Sequence, residues 1–166
     1  MKFSDRRRHI GLKGELLLVL APTLTVLLVL ALVEWLSRQQ LLFASLASSA
    51  FLIYLDPLHA VNRVVVLVVS QMMAAGIGLL AFVLLGPGYL SAGTAMIIVI
   101  ALLVGFDLMH PPAVSTALSF GLRASGESNL ALFMLALGLT ITLVSLQLLM
   151  ARLLQRLLRK QKRPIG

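Results

Sequence analysis

The chain contains no cysteine, which removes disulfides, iron–sulfur clusters and thiolate chemistry from consideration. Histidine is confined to three positions, His9, His59 and His110. No HExxH, GxSxG or phosphate-loop pattern occurs, so the common hydrolase and nucleotide-binding signatures are missing. Acidic residues are few: six Asp and Glu stand against 14 Lys and Arg, a formal net charge of +8. The expectation is a protein that is not an enzyme and carries no cofactor or metal.

Apolar sequence is what the chain has in abundance. Of its 166 residues 60% are apolar, with mean hydropathy +1.02, against about 45–50% in soluble domains. Apolar runs of about 20 residues recur, which reads as a polytopic membrane protein. One membrane domain is expected to fill the chain, leaving no room for a second, soluble one.

The basic residues are gathered at the two ends. Lys2, Arg6, Arg7, Arg8 and Lys13 lie at the start; Arg152, Arg156, Arg159, Lys160, Lys162 and Arg163 lie at the finish. Because they flank apolar spans, they read as cytoplasmic anchors touching anionic lipid headgroups rather than as a nucleic-acid surface. The first apolar run is too long for a cleaved signal, and no small-residue cleavage site follows closely. Residues 1–15 are thus a basic lead, 16–151 the transmembrane domain, and 152–166 a basic C-terminal helix or tail.

Residues 16–36 form the first expected span, with Pro22 in its first turns and Trp35 as an interfacial anchor. Residues 41–55 are apolar and rich in Ala and Ser, but as a helix they cover only ~22 Å of a ~30 Å hydrocarbon core. Residues 64–85 and 90–106 are further spans, separated by the tight turn Gly86-Pro87-Gly88. Residues 113–122 are too short to cross, and 130–150 are the last span, continuing as helix through Arg152, Arg156 and Arg159. The order long, short, long occurs twice, and an offset of 67 aligns residues 47–51 with 114–118 and Asn62 with Asn129, as a duplication would.

With both termini inside, the number of crossings is even. Either four long helices cross and two short ones re-enter, or all six cross as an inverted pair of three-helix repeats. Length favours the first. The expected fold is therefore all-α and polytopic, with four long transmembrane helices plus two short re-entrant ones.

Asp107-Leu108-Met109-His110-Pro111-Pro112 interrupts this apolar pattern. Such residues at membrane depth are tolerated only where they are buried in protein, line water or bind something. Prolines suit the first turn of a helix, so a half-helix starting near Pro111 would aim its N-terminus, with N–H groups at Ala113 and beyond, at the space beside His110. That is an anion-binding arrangement. Ser115 and Thr116 add hydroxyls, Ser48 and Ser49 face them from the earlier short element, and Arg63 and Arg123 attract anions at a mouth. Asn62 and Gln71 supply further polar support. Asp107 would hold the His110 tautomer or relay a proton. Plainer readings stand beside these: His110 as a loop hydrogen-bonder, Asp107 as a structural partner, the hydroxyls as helix-packing residues, and the arginines as interfacial anchors. Two Asp-x-x-His pairs, Asp56/His59 and Asp107/His110, keep a metal-dependent membrane enzyme open as an alternative.

Gly105-Phe106-Asp107-Leu108-Met109-His110-Pro111-Pro112-Ala113, followed by Ser115-Thr116-Ala117-Leu118, resembles the signature of the HPP family of integral membrane proteins, named for its His-Pro-Pro motif. Residues 47–55, then Pro57, Asn62 and Arg63, resemble its other recognisable region, and the likeness covers roughly residues 40–150. The resemblance implies a four-span protein of bacterial, cyanobacterial or plastid membranes, with some members implicated in nitrite transport and some carrying CBS domains that this chain lacks. Many members have a Gly-His pair where this chain has Ser70-Gln71. The expectation drawn from residues and resemblance together is a transporter or channel for a small inorganic anion, nitrite first, in a bacterial inner membrane and as a homo-oligomer. A non-transporting scaffold is the second reading.

Overall fold

The structure is a computed structural model that describes residues 40–122, residues 128–161 and, between 13 and 27, all but 15, 18, 22 and 26. Every described residue between 13 and 27 is helical. The rest of the expected first span, and Arg123, lie outside the described residues.

Five helices follow: α1 (Gln40–Leu55), α2 (Val64–Leu85), α3 (Tyr89–Gly105), α4 (Pro112–Gly121) and α5 (Asn129–Gln161), with a short 3-10 turn at Ala60–Asn62 before α2. Among the described residues there is no strand. α2 opens on Val64, Val65 and Val66, β-branched residues with little intrinsic helix preference. In an apolar surrounding the backbone has to satisfy its own N–H and C=O groups, and the helix does so irrespective of side-chain propensity.

The breaks lie where the sequence places Gly and Pro. α1 stops at Asp56-Pro57, since a proline disfavours helical geometry in the residue before it. α2 ends at Gly86, whose φ of 75° is left-handed and whose N–H returns to the Phe82 carbonyl. After α3, the N–H of Leu108 reaches back to the Leu103 carbonyl, and Asp107 sits at φ 54°. α4 starts at Pro112 with Pro111 as its cap.

α2 is the hub, packing on α3, α4 and α5; α4 also packs on α1 and α3, and α5 on α1. Two apolar cores result. One joins Leu46 and Ile53 of α1, Leu67 of α2, Phe120 of α4 and Leu143 and Met150 of α5. The other joins Ala74 and Ala81 of α2, Ala95 and Val99 of α3 and Ala113 and Ala117 of α4. The outer faces remain apolar, with Val65, Val83, Ile97 and Ile141 all exposed, as a lipid-facing belt requires.

The expectation of four long spans is met only in part. α2 and α5 are the two described helices long and apolar enough to cross a bilayer. α3, with 17 residues, covers about 25 Å, and α4, with 10, about 15 Å. The helix boundaries respect the offset of 67, since α1 and α4 end, and α2 and α5 begin, at matching positions to within two residues.

α4 fits tightly because two glycines let backbones approach. A Cβ on Gly78 would lie 2.8 Å from the Ala117 carbonyl oxygen, and one on Gly121 would lie 2.5 Å from Ala92 Cα. Around Gly76, one helical position pair away, there is nothing within 4 Å. Gly78→Ala is therefore expected to destabilise the bundle by roughly 1–3 kcal/mol, whereas Gly76→Ala should be neutral or stabilising by up to about 1 kcal/mol. Thermal unfolding of the two variants in detergent distinguishes them; equal melting temperatures would show that α2 and α4 do not pack this closely.

Candidate functional site

Ser45 and Ser49 are four residues apart on α1, so one face of that helix presents both. Opposite them runs α4. Ser49 Oγ and His110 Nε2 are 2.9 Å apart, sharing a hydrogen bond whose direction depends on the imidazole tautomer. Thr116 Oγ1 lies 2.9 Å from Ser45 Oγ. Moving along the chain from His110, just before α4, to Thr116 within it moves down α1 from 49 to 45, so the two helices are antiparallel.

Gln71 of α2 completes the inner cluster. The Thr116 hydroxyl donates to Gln71 Oε1 at 2.6 Å, and Gln71 Nε2 donates to Ser45 Oγ at 3.1 Å. With the Ser45 hydroxyl directed at Thr116 Oγ1, the three side chains form a closed ring in which each bond polarises the next. All three are buried. Leu46, Ala136, Leu139 and Leu143 wall the ring, and the space among them is too narrow for a water molecule.

A second polar layer lies at the other end of the α1 face, on a collar formed by the end of α1 and residues 56–63. Asn62 is 1% exposed; its amide donates to the carbonyls of Leu52 at 2.9 Å and Asp56 at 2.8 Å. Gln147 of α5 donates to the Pro57 carbonyl at 3.2 Å. His59 Nδ1 accepts from the Val61 N–H and Asp56 Oδ1 from the Leu58 N–H. From Ser45 to Pro57 these groups follow α1 and its collar over about 18 Å at helical rise.

Several expected site residues therefore come together: His110 with Ser49, Thr116 with Gln71, and Asn62 at the collar. Others do not. Ser48 is exposed and turns its hydroxyl back to the Ala44 and Ser45 carbonyls, because one residue along a helix is a rotation of about 100°. Ser115 is half-buried beside the ring rather than in it. Asp107 is exposed and makes the left-handed turn after α3 instead of holding His110. Arg63 is exposed at the cap of α2.

The N-terminus of α4 also departs from expectation. The Ala113 N–H donates to the His110 carbonyl and the Val114 N–H to the Pro111 carbonyl. With Pro112 lacking an N–H, the first turn offers no free cradle in this conformation. Of the two Asp-x-x-His pairs, Asp56 and His59 cap local backbone N–H groups, whereas Asp107 is exposed and His110 bonds Ser49. Among the described residues no group of three His, Cys, Asp or Glu is placed to hold a metal ion, so the pairs do not converge on one.

Sequence reasoning passes over Gln147, a lone amide among leucines in the last span. Its signal was there: a buried polar residue at membrane depth calls for a partner. Ser45, a hydroxyl that the short element offers along with Ser48 and Ser49, shares the inward face because it stands four residues before Ser49.

The fold and the site together define a small helical membrane protein whose buried polar centre is built around a broken helix. Residues 8–164 match the family described as HPP, transmembrane region, and the chain belongs to that family. No curated protein matches the chain, and no solved structure does.

Because the ring closes on itself, its members should couple. Thr116→Val leaves Gln71 Oε1 and Ser45 short of a partner and is expected to cost about 1–3 kcal/mol. In a cycle with Ser45→Ala the double variant should lose less than the sum of the singles, with a coupling of roughly 0.5–3 kcal/mol, read from denaturation in detergent. Strict additivity would show that the ring is not formed.

Proposed function

We propose that this chain moves a small inorganic anion across the membrane, with nitrite the first candidate. The reading rests on one observation: a buried line of polar side chains runs from Ser45, Gln71 and Thr116 through Ser49 and His110 to Asn62 in an otherwise apolar bundle. Polar side chains also act as glue between spanning helices, but a buried line of them that includes a histidine is what a solute pathway at membrane depth needs.

In the closed arrangement the polar groups serve one another. Passage then requires α1 to part from α4, exchanging Ser45–Thr116 and Ser49–His110 bonds for bonds to the solute. Donors released in that step are the Ser49, Ser45 and Thr116 hydroxyls, the Gln71 amide and the imidazole N–H. Ser115 lies on the flank of the same opening, and Pro111, Pro112 and Ala113 shape its floor. Arg63 draws anions to the exposed end. The basic clusters at both ends favour cytoplasmic termini in a bacterial inner membrane with anionic lipid at both, and the narrow bundle favours a homo-oligomer.

A second reading, a scaffold that conducts nothing, is favoured by the completeness of the ring and the absence of room for water beside it. The two readings part in proteoliposomes loaded against nitrite, nitrate, formate and chloride. The transport reading expects nitrite uptake that falls at least tenfold in His110→Ala while the variant remains folded. Uptake of none of the four ions by folded native protein would favour the scaffold, and unaltered uptake in His110→Ala would remove His110 from the pathway.

A further inference from the structure

A cavity of about 430 Å³ lies between the helix at 13–27 and α1, away from the polar ring. Val19, Thr23 and Leu27 line it from the first of these helices, and Ala47, Phe51 and Tyr54 from the second. Steps of four on one side, and of four and three on the other, put each set on a single helix face. The space is thus a slot that follows two facing helices over about 12 Å. It is not the gap beneath an undocked helix. Ala21, on the opposite side of the same turns, packs on the core that holds Ile53 and Met150.

What the slot offers is apolar. The Thr23 hydroxyl turns back to the Val19 carbonyl at 2.8 Å. None of the buried unpartnered polar atoms among the described residues belongs to its walls. Phe51 and Tyr54 stand together with ring centroids 6.3 Å apart. Phe51 is 58% and Leu27 55% exposed, so the slot opens sideways onto the belt that faces lipid. An ion or polar solute finds no partner there, and a gap left empty forfeits dispersion contacts along its whole lining. In a bilayer the apolar chain at hand is a lipid tail.

Charge selects the kind of lipid. Lys13 is exposed on the same helix and stands about 9 Å before Val19 at helical rise. Arg152 and Arg156 are exposed on α5, beyond Gln147, which bonds Pro57 just past the Tyr54 end of the slot. With both termini on one side of the membrane, as proposed above, these cations gather where the headgroup of a lipid with its tail in the slot would sit. Basic clusters at that level attract anionic headgroups.

We propose that the slot between the helix at 13–27 and α1 binds one acyl chain of an anionic phospholipid, whose phosphate rests against Lys13. The site lies apart from the Ser45–Gln71–Thr116 ring and shares with the transport reading only the placement of the termini.

The test is native mass spectrometry of the full-length chain, released from detergent after titration with phosphatidylglycerol or phosphatidylcholine. The native chain should take up one phosphatidylglycerol saturably and several-fold more tightly than phosphatidylcholine. Lys13→Gln should weaken phosphatidylglycerol binding about three- to fivefold and leave phosphatidylcholine unchanged. Ala47→Phe and Thr23→Phe fill the slot from opposite walls at exposed positions. Each should lower occupancy roughly tenfold or more by excluding the tail, while melting in lipid-free detergent at the native temperature or above. Val65→Phe, which sets the same ring on the exposed face of α2, should bind as the native chain does. Adducts that accumulate without saturation, or occupancy unchanged in both slot variants, would overturn the site. Dimers that vanish in Ala47→Phe with no lipid retained by the native chain would give the slot to a second copy and overturn it as well. Equal binding of the two lipids would remove Lys13 from it. No readout involves flux, so failure here and failure of anion transport are distinguishable.

Discussion

A polar atom removed from water must find its partner inside the protein, and in this bundle the partners decide how the helices stand. Ser49 with His110 and Ser45 with Thr116 are two bonds along one interface. They set the register of α1 against α4: a slip of a single residue would rotate both serines by about 100°, break both bonds and leave the buried His110 Nε2 without its partner. Apolar contacts alone cannot impose such a register in lipid, where the surrounding chains are as apolar as the side chains. Gln71 then ties α2 to the same two helices, and the remaining packing of α3 and α5 on α2 follows.

The break at Pro111-Pro112 is the device that makes this interface available. A continuous helix would have carried its own backbone bonds through the region and turned its side chains outward in rotation. Instead α3 ends in a left-handed turn at Asp107, the chain reverses, and α4 returns as ten residues buried against three neighbours. Irregular backbone at this depth is tolerated because protein covers it. Gly78 and Gly121 permit that cover by admitting backbones to distances that any Cβ would forbid. The motif that gives the family its name is thus, in this fold, the helix break that brings His110 and Thr116 against α1.

Most of the architecture was legible in the chain. Segment ends at Leu55, Leu85, Gly105 and Gly121 fall where Pro, Gly or polar residues interrupt the apolar runs, and local chemistry suffices to place them. The buried polar cluster was legible at His110, Thr116, Asn62 and Gln71, because a polar residue in an apolar run is conspicuous. Ser48 looked no different from Ser49 in sequence. Which of two adjacent serines faces inward depends on the rotation of α1 about its axis, and that rotation is set by α4 and α2. Asp107 likewise reads as a partner for a histidine three residues away, yet the left-handed turn carries it to the surface.

The sequence by itself determined that the chain is helical, apolar on the outside and broken at His-Pro-Pro, since these follow from hydropathy, proline geometry and the need to close backbone hydrogen bonds in lipid. It also determined family membership, because the motif and its surroundings are local. Tertiary structure decided which polar atoms meet. The closed ring of Ser45, Gln71 and Thr116 joins residues up to 71 positions apart, the first turn of α4 uses up its own N–H groups, and Gln147 reaches across 90 positions to Pro57. No local pattern encodes such pairings; they arise only when three helices settle at a common distance and rotation, and that settlement is a property of the packed bundle.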